Sequence, residues 1–138
     1  MPAMPISFTL VTASGTDSPA DRREIGPLGL ASMRQSMTEF GMLVGRVPLR
    51  WPGDGEPRSL FDGEDGEAHG IPDRKLAGAE QLITAAQIAA ALASYDAKPA
   101  AVRAESEDAE VHPSWQPWIA LLRRAAQQGG LRFRDTRL

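Results

Sequence analysis

Near the start of the chain Ile6, Phe8 and Leu10 alternate with Ser7 and Thr9. That period of two sets one face of a strand against a core and leaves the other outward, and it predicts a strand over residues 5–12. The next stretch, SGTDSPADRREIGPLG, is dense in Gly, Pro, Ser and Asp, which break both periodicities and supply turn conformations. It predicts a loop. Leu30, Met33, Met37 and Phe40 then recur at helical spacing, and Gly41 stands where a helix end favours a residue without Cβ. A short helix near 31–41 follows, with Met33 and Met37 as a core stripe. Residues 44–51 have the character of a short extended segment closed by Pro52.

The strongest local signal is LITAAQIAAALASY. Thr84 can accept from the main-chain N–H of Gln87 while Gln87 reaches back to Thr84, and Ile83 and Ile88 are spaced as a hydrophobic staple. This predicts a helix over about 85–96 with Ile88, Leu92 and Tyr95 as its apolar stripe. After Pro99 the run AESEDAE is polar and acidic, so residues 98–113 are expected to form a linker or exposed loop. Trp115, Trp118, Ile119, Leu122 and Ala125 mark a last helix, and Pro117 is tolerable in its first turn because no intrahelical N–H is needed there. Gly129 and Gly130 end it. Leu131 and Phe133 alternate with Arg132 and Arg134, predicting a final strand that suits pairing with the first. The sum is one α+β domain spanning residues 1–138: a small, mostly antiparallel sheet of three or four strands packed with about three helices.

Composition narrows the chemistry. A chain of 138 residues is long enough to bury one core without staples. With no cysteine there is no disulfide framework, no thiolate zinc site and no cysteine nucleophile. No basic leader precedes an apolar stretch and no run of about 18 apolar residues occurs, so a soluble cytoplasmic protein is expected. Net charge is −3, unevenly placed. Between Gly53 and Asp73 seven acids face one Arg58, while Arg123, Arg124, Arg132, Arg134 and Arg137 crowd the C-terminus. The Gly-, Pro- and acid-rich 53–73 segment offers little apolar area against ordering entropy and is expected to be a flexible acidic loop. Its DGEDGE spacing departs from the ligand positions, internal Gly and closing Glu of a calcium loop, so no metal and no cofactor is implied. Thirteen Arg against two Lys, with abundant Ala, fit a GC-rich bacterial genome.

Three blocks, EIGPLGLASMRQSMTEFGML, GIPDRKLAGAEQLITAAQIAAAL and WIALLRRAAQQGGLRF, together resemble a family of small actinobacterial proteins with no established activity. The resemblance implies a single domain and lends no reaction.

For function the chain offers three readings. No GxSxG, HExxH, GxxxxGK[ST] or strand-borne GxGxxG occurs. The leading reading is a protein-interaction or regulatory module, of the kind that masks another protein. Its contact would be Trp51 and the acidic residues Asp62, Glu64, Asp65 and Glu67, suited to a basic protein partner. The second is a small-molecule site or weak hydrolase in HGIPDRKL, where His69, Asp73 and Lys75 bring a base, a carboxylate and an ammonium into one loop beside a capped helix. Against it stands the ordinary reading of a solvated surface turn. His112, the other candidate base, precedes Pro113 and is expected to help position the last helix. The third is nucleic-acid binding through the C-terminal arginines, disfavoured by the negative charge and few aromatics. No oligomeric state follows from the sequence.

Overall fold

The computed structural model describes residues 5–44 and 70–137. Within them the chain is an α+β fold. A four-stranded antiparallel sheet runs in the order β2-β1-β6-β5, where β1 is Ile6–Val11, β2 Asp17–Ile25, β5 Glu80–Ile83 and β6 Leu131–Asp135. The two strands from opposite ends of the chain pair at the centre, Phe8 against Phe133 and Leu10 against Leu131. Ile6, Phe8 and Leu10 face the core as the alternation requires, yet Ser7 and Thr9 are buried too. They lie opposite Glu24, Arg22, Arg134 and Arg132, long charged side chains that cover the outer face.

The stretch expected as a loop after β1 is in fact strand β2. It takes an edge, the position where Pro19 is tolerated because half of an edge strand's N–H groups face away from the ladder. The register jumps from Thr9 opposite Arg22 to Leu10 opposite Ser18, leaving residues 19–21 bulged. Proline and a bulge both blunt an edge against unwanted pairing. Those same devices are what made the segment resemble a loop.

Helix α1, Pro27–Glu39, starts earlier than its apolar spacing suggested, because Pro27 occupies the first turn where its fixed φ is pre-formed for the helix. Its end is a Schellman motif. Gly41 at φ +72 donates to the Thr38 carbonyl at 3.0 Å, and Met42 donates to the Met37 carbonyl at 2.9 Å. Beyond it Leu43–Val44 (β3) pairs in parallel with Ile71–Pro72 (β4), a second sheet of two short strands. Asp73–Leu76 makes a single 3-10 turn into β5.

Helix α2, Ala85–Asp96, carries the expected capping box. Gln87 N–H donates to Thr84 Oγ1 at 3.2 Å and Thr84 N–H to Gln87 Oε1 at 3.0 Å. Ile88, Leu92 and Tyr95 are buried. Helix α4, Trp115–Ala126, buries Trp115, Trp118, Ile119, Leu122 and Ala125 and packs on α2 and β1. Residues 100–107, expected as part of a linker, form a fourth helix, α3, Ala100–Glu107, which buries none of its residues. Ala, Arg and Glu are strong helix formers, and Arg103 pairs with Glu107 one turn on at 3.2 Å. Eight residues are too few to be helical alone, and α3 is anchored by Tyr95, whose hydroxyl donates to Glu107 Oε2 at 2.6 Å. The Trp115 indole donates to that same hydroxyl at 3.1 Å, so one polar hub joins α2, α3 and α4. Burial first, then the bond to Glu107, pushes the Tyr95 phenol above its ordinary range.

Candidate functional site

In HGIPDRKL several of the described residues pack into the fold or bond to its other elements. Gly70, Ile71, Pro72 and Leu76 are buried, and the Ile71 N–H donates to the Met42 carbonyl at 3.0 Å. Asp73 receives a bidentate fork from Arg34 of α1, at 3.1 and 2.6 Å, which ties the 3-10 turn to that helix. Lys75 donates to the Leu82 carbonyl of edge strand β5 at 2.5 Å. Asp73 and Lys75 thus share a turn but are held by different elements. His69, Trp51, Asp62, Glu64, Asp65 and Glu67 lie outside the described residues.

The C-terminal arginines meet acids, most of them from elsewhere in the fold. Arg123 forks onto Asp96 at 3.0 and 2.8 Å, holding that carboxyl below its usual range. Arg124 reaches Asp21 at 3.4 Å, and Arg137 reaches Asp135 at 2.7 Å. On the outer face of the sheet Arg132 pairs with Asp17 at 3.0 Å, and Arg134 with Glu80 at 2.8 Å and Asp17 at 3.3 Å. A phosphate backbone approaching this face would have to displace those carboxylates.

A different place has the shape of a site. Between the β2–α1 corner and the segment joining α3 to α4 lies a cleft of about 390 Å³, within the range of small-molecule sites. Ile25, Met33, Val111, Pro113, Trp115 and Trp118 give its apolar lining. Its polar groups are Arg23 and Glu24 from β2, Ser32 and Ser36 one turn apart on α1, Ser106 at the end of α3, and His112 and Ser114. Two packing facts bear on its chemistry. Trp118 is 1% exposed and its ring packs on Phe8 at 4.8 Å, yet its indole N–H has no partner among the described residues. A buried N–H left unmade costs about 1–3 kcal/mol. By contrast, the indole of Trp115 is satisfied by Tyr95.

The second fact is the alternation of β2. Arg22 and Glu24 stand opposite Thr9 and Ser7, on the outer face, and pair with each other at 3.5 Å. Arg23 stands opposite Phe8, on the helix-bearing face. There it donates to the Ser114 carbonyl at 3.3 Å and has no carboxylate within 4.0 Å among the described residues. His112, expected to help position the last helix, accepts from the Trp115 N–H through its carbonyl at 3.2 Å and also lines the opposite wall. Of these cleft residues only His112 stood out in the sequence as a candidate base, while Met33, Trp115 and Trp118 stood out as positions on the apolar stripes of their helices. The missed signal was Arg23, whose parity becomes visible only once β2 is known to be a strand.

No family model, curated protein or solved structure matches the chain. Among the described residues no cluster of three or more His, Asp or Glu is placed to hold a metal ion, and no helix is long and apolar enough to cross a membrane.

Proposed function

We propose that the protein is a small-molecule-binding module whose ligand occupies the cleft between the β2–α1 corner and the α3–α4 connection. The observation that carries this reading is the Trp118 indole N–H, buried and unpartnered in a residue that lines a concave wall of mixed polarity. Buried donors are nearly always paired, and an exception is commonly a place where strain is stored, a reaction is served or a water or ion binds. Apolar surface with a few converging polar groups is the ordinary make-up of a ligand site. The test is a fragment screen read by amide and indole nitrogen–proton correlation spectra of the full chain. Compounds that bind should move the signals of Met33, Ser36, Trp115 and Trp118 together. A screen in which hits move scattered surface residues and leave these four still would contradict the proposal.

A second reading rests on charge. The described residues hold twelve acids and twelve arginines or lysines, so the net charge of −3 arises wholly within residues 45–69, which hold six acids and three arginines. An acidic segment containing Trp51 suits a basic protein partner, with charge steering the encounter. Reversing Asp62, Glu64, Asp65 and Glu67 to Lys should then abolish capture of that partner from a lysate of the native organism. Retention of the same protein by the reversed variant would contradict it.

A further inference from the structure

Resting on the cleft reading above, we infer that the ligand is an organic anion: a carboxylate or similar group held by Arg23, joined to a flat apolar body that lies against Trp115 and Trp118. Arg22, Arg34, Arg103, Arg123, Arg124, Arg132, Arg134 and Arg137 each have a carboxylate within 4.0 Å. Among the described residues Arg23 has none, and it is on the face of the sheet where charge is least expected. Its one bond, to the Ser114 carbonyl, engages a single terminal nitrogen and leaves the rest of a five-donor fork unpaired among the described residues. A guanidinium of this kind matches a planar two-oxygen anion in geometry as well as in charge.

The neighbours agree with that assignment. Ser32 and Ser36 lie one helical turn apart on α1, and Ser106 and Ser114 lie on the facing wall. They bring short hydroxyl donors and no further cation. The acid that lines the cleft, Glu24, belongs to the outer-face set of β2 and is taken up by Arg22. The remaining wall is aromatic and aliphatic. Trp115, which packs on Phe40 at 5.6 Å, and Trp118, which packs on Phe8 at 4.8 Å, both contribute to it. A cation would meet Arg23 unfavourably, and a purely apolar ligand would bury that guanidinium without a partner, which is costly.

Arg23 has a competing explanation: inward-pointing charge on an edge strand can serve only to block edge-to-edge pairing. The experiment separates the two. Binding of 2-naphthoate, its neutral analogue 2-naphthamide, and acetate is measured by calorimetry on the full-length wild type, Arg23→Gln and Arg23→Lys, with thermal melts as a folding control. The expected result is that naphthoate binds wild type at least about tenfold tighter than naphthamide, the scale of one charge-assisted hydrogen bond. Acetate binds far more weakly than naphthoate. Arg23→Gln loses the preference while retaining naphthamide, and Arg23→Lys keeps part of it. Equal binding of acid and amide by wild type overturns the anion assignment and leaves the cleft reading standing. So does an Arg23→Gln variant that binds like wild type but self-associates, which would give Arg23 the edge-guarding role. If neither naphthyl compound binds, the anion assignment falls. The fragment screen then decides separately on the cleft, which falls only if no compound moves its signals.

Discussion

On the outer face of the sheet Arg132 and Arg134 meet Asp17 and Glu80 at distances between 2.8 and 3.9 Å, whereas across β1, on the helix-bearing face, Arg23 meets only a main-chain carbonyl among the described residues. In the sequence these arginines look alike, and the outer pair is the more conspicuous because it sits in a basic C-terminus. The structure reverses their standing. A cation already sharing its charge with carboxylates offers little to a ligand, since any new anion must replace an existing one. An isolated cation beside aromatic rings offers most of its donors. What decides availability is strand parity and edge position, and neither shows in a count of charges.

The outer-face pairing is most open to disruption at the corner that seats β6. Gly130 has φ +97, and an added Cβ would fall 2.0 Å from the Ile83 main-chain oxygen. Gly130→Ala should therefore cost roughly 2–4 kcal/mol, from left-handed backbone strain and a clash that β5 must move to relieve. A urea titration would show it as a lowered midpoint. Because Arg132 and Arg134 ride on β6, their pairing to Asp17 and Glu80 should loosen together.

The two buried indoles sharpen the contrast between a satisfied donor and an orphaned one. Trp115→Phe and Trp118→Phe remove similar volume, but only the first removes a hydrogen bond, the one to Tyr95. Trp115→Phe should be the more destabilising by about 1.5–4.5 kcal/mol, the sum of a lost bond in one case and a relieved unpaired donor in the other. Equal losses in paired denaturant melts would mean that the Trp118 N–H is not an orphan in solution.

Smaller effects are expected from the charged pairs. Asp17→Asn leaves Arg132 and Arg134 with Glu80 alone, yet these groups are a quarter to a half exposed. The cost should be no more than about 1 kcal/mol and should shrink with added salt. Arg23→Gln should change stability by less than about 0.5 kcal/mol, because no ion pair is broken. Stability should also fall at both ends of the pH scale. The Asp96 carboxyl is lowered by Arg123, so its contribution is complete above the ordinary carboxyl range and is lost as pH falls through the lowered folded value, below about 4. The Tyr95 phenol is raised by burial and by Glu107. Its contribution is therefore complete below the ordinary phenol range and is lost as pH rises through the raised folded value, above about 10. Tyr95→Phe should remove the alkaline loss and leave the acid one.

Much of the frame was legible because it rests on local rules. The 5–12 alternation, the Thr84–Gln87 capping box, the Trp-led stripe of α4 and the Leu131–Phe133 strand each follow from spacing alone, and the fold places them as expected. What failed to show was whatever depends on a neighbour. Strand β2 is written in turn-forming residues because an edge tolerates them, and α3 buries none of its residues because polar ties hold it, from the Tyr95 hydroxyl and the Gln116 amide to Glu107. The cleft inherits both blind spots, since its walls are the end of β2 and the end of α3. HGIPDRKL drew attention because polar residues were clustered in sequence. In space, Asp73 and Lys75 turn to α1 and β5.

The most direct test of the account follows the arginine side-chain Nε–H signals of the protein during a titration with 2-naphthoate, Arg23 being assigned by its loss in Arg23→Gln. The account predicts that the Arg23 signal moves with saturation, together with the Trp118 indole, while the Arg132 and Arg134 signals stay in place. Movement of Arg132 and Arg134 with Arg23 unmoved would place the anion on the outer face of the sheet and contradict it.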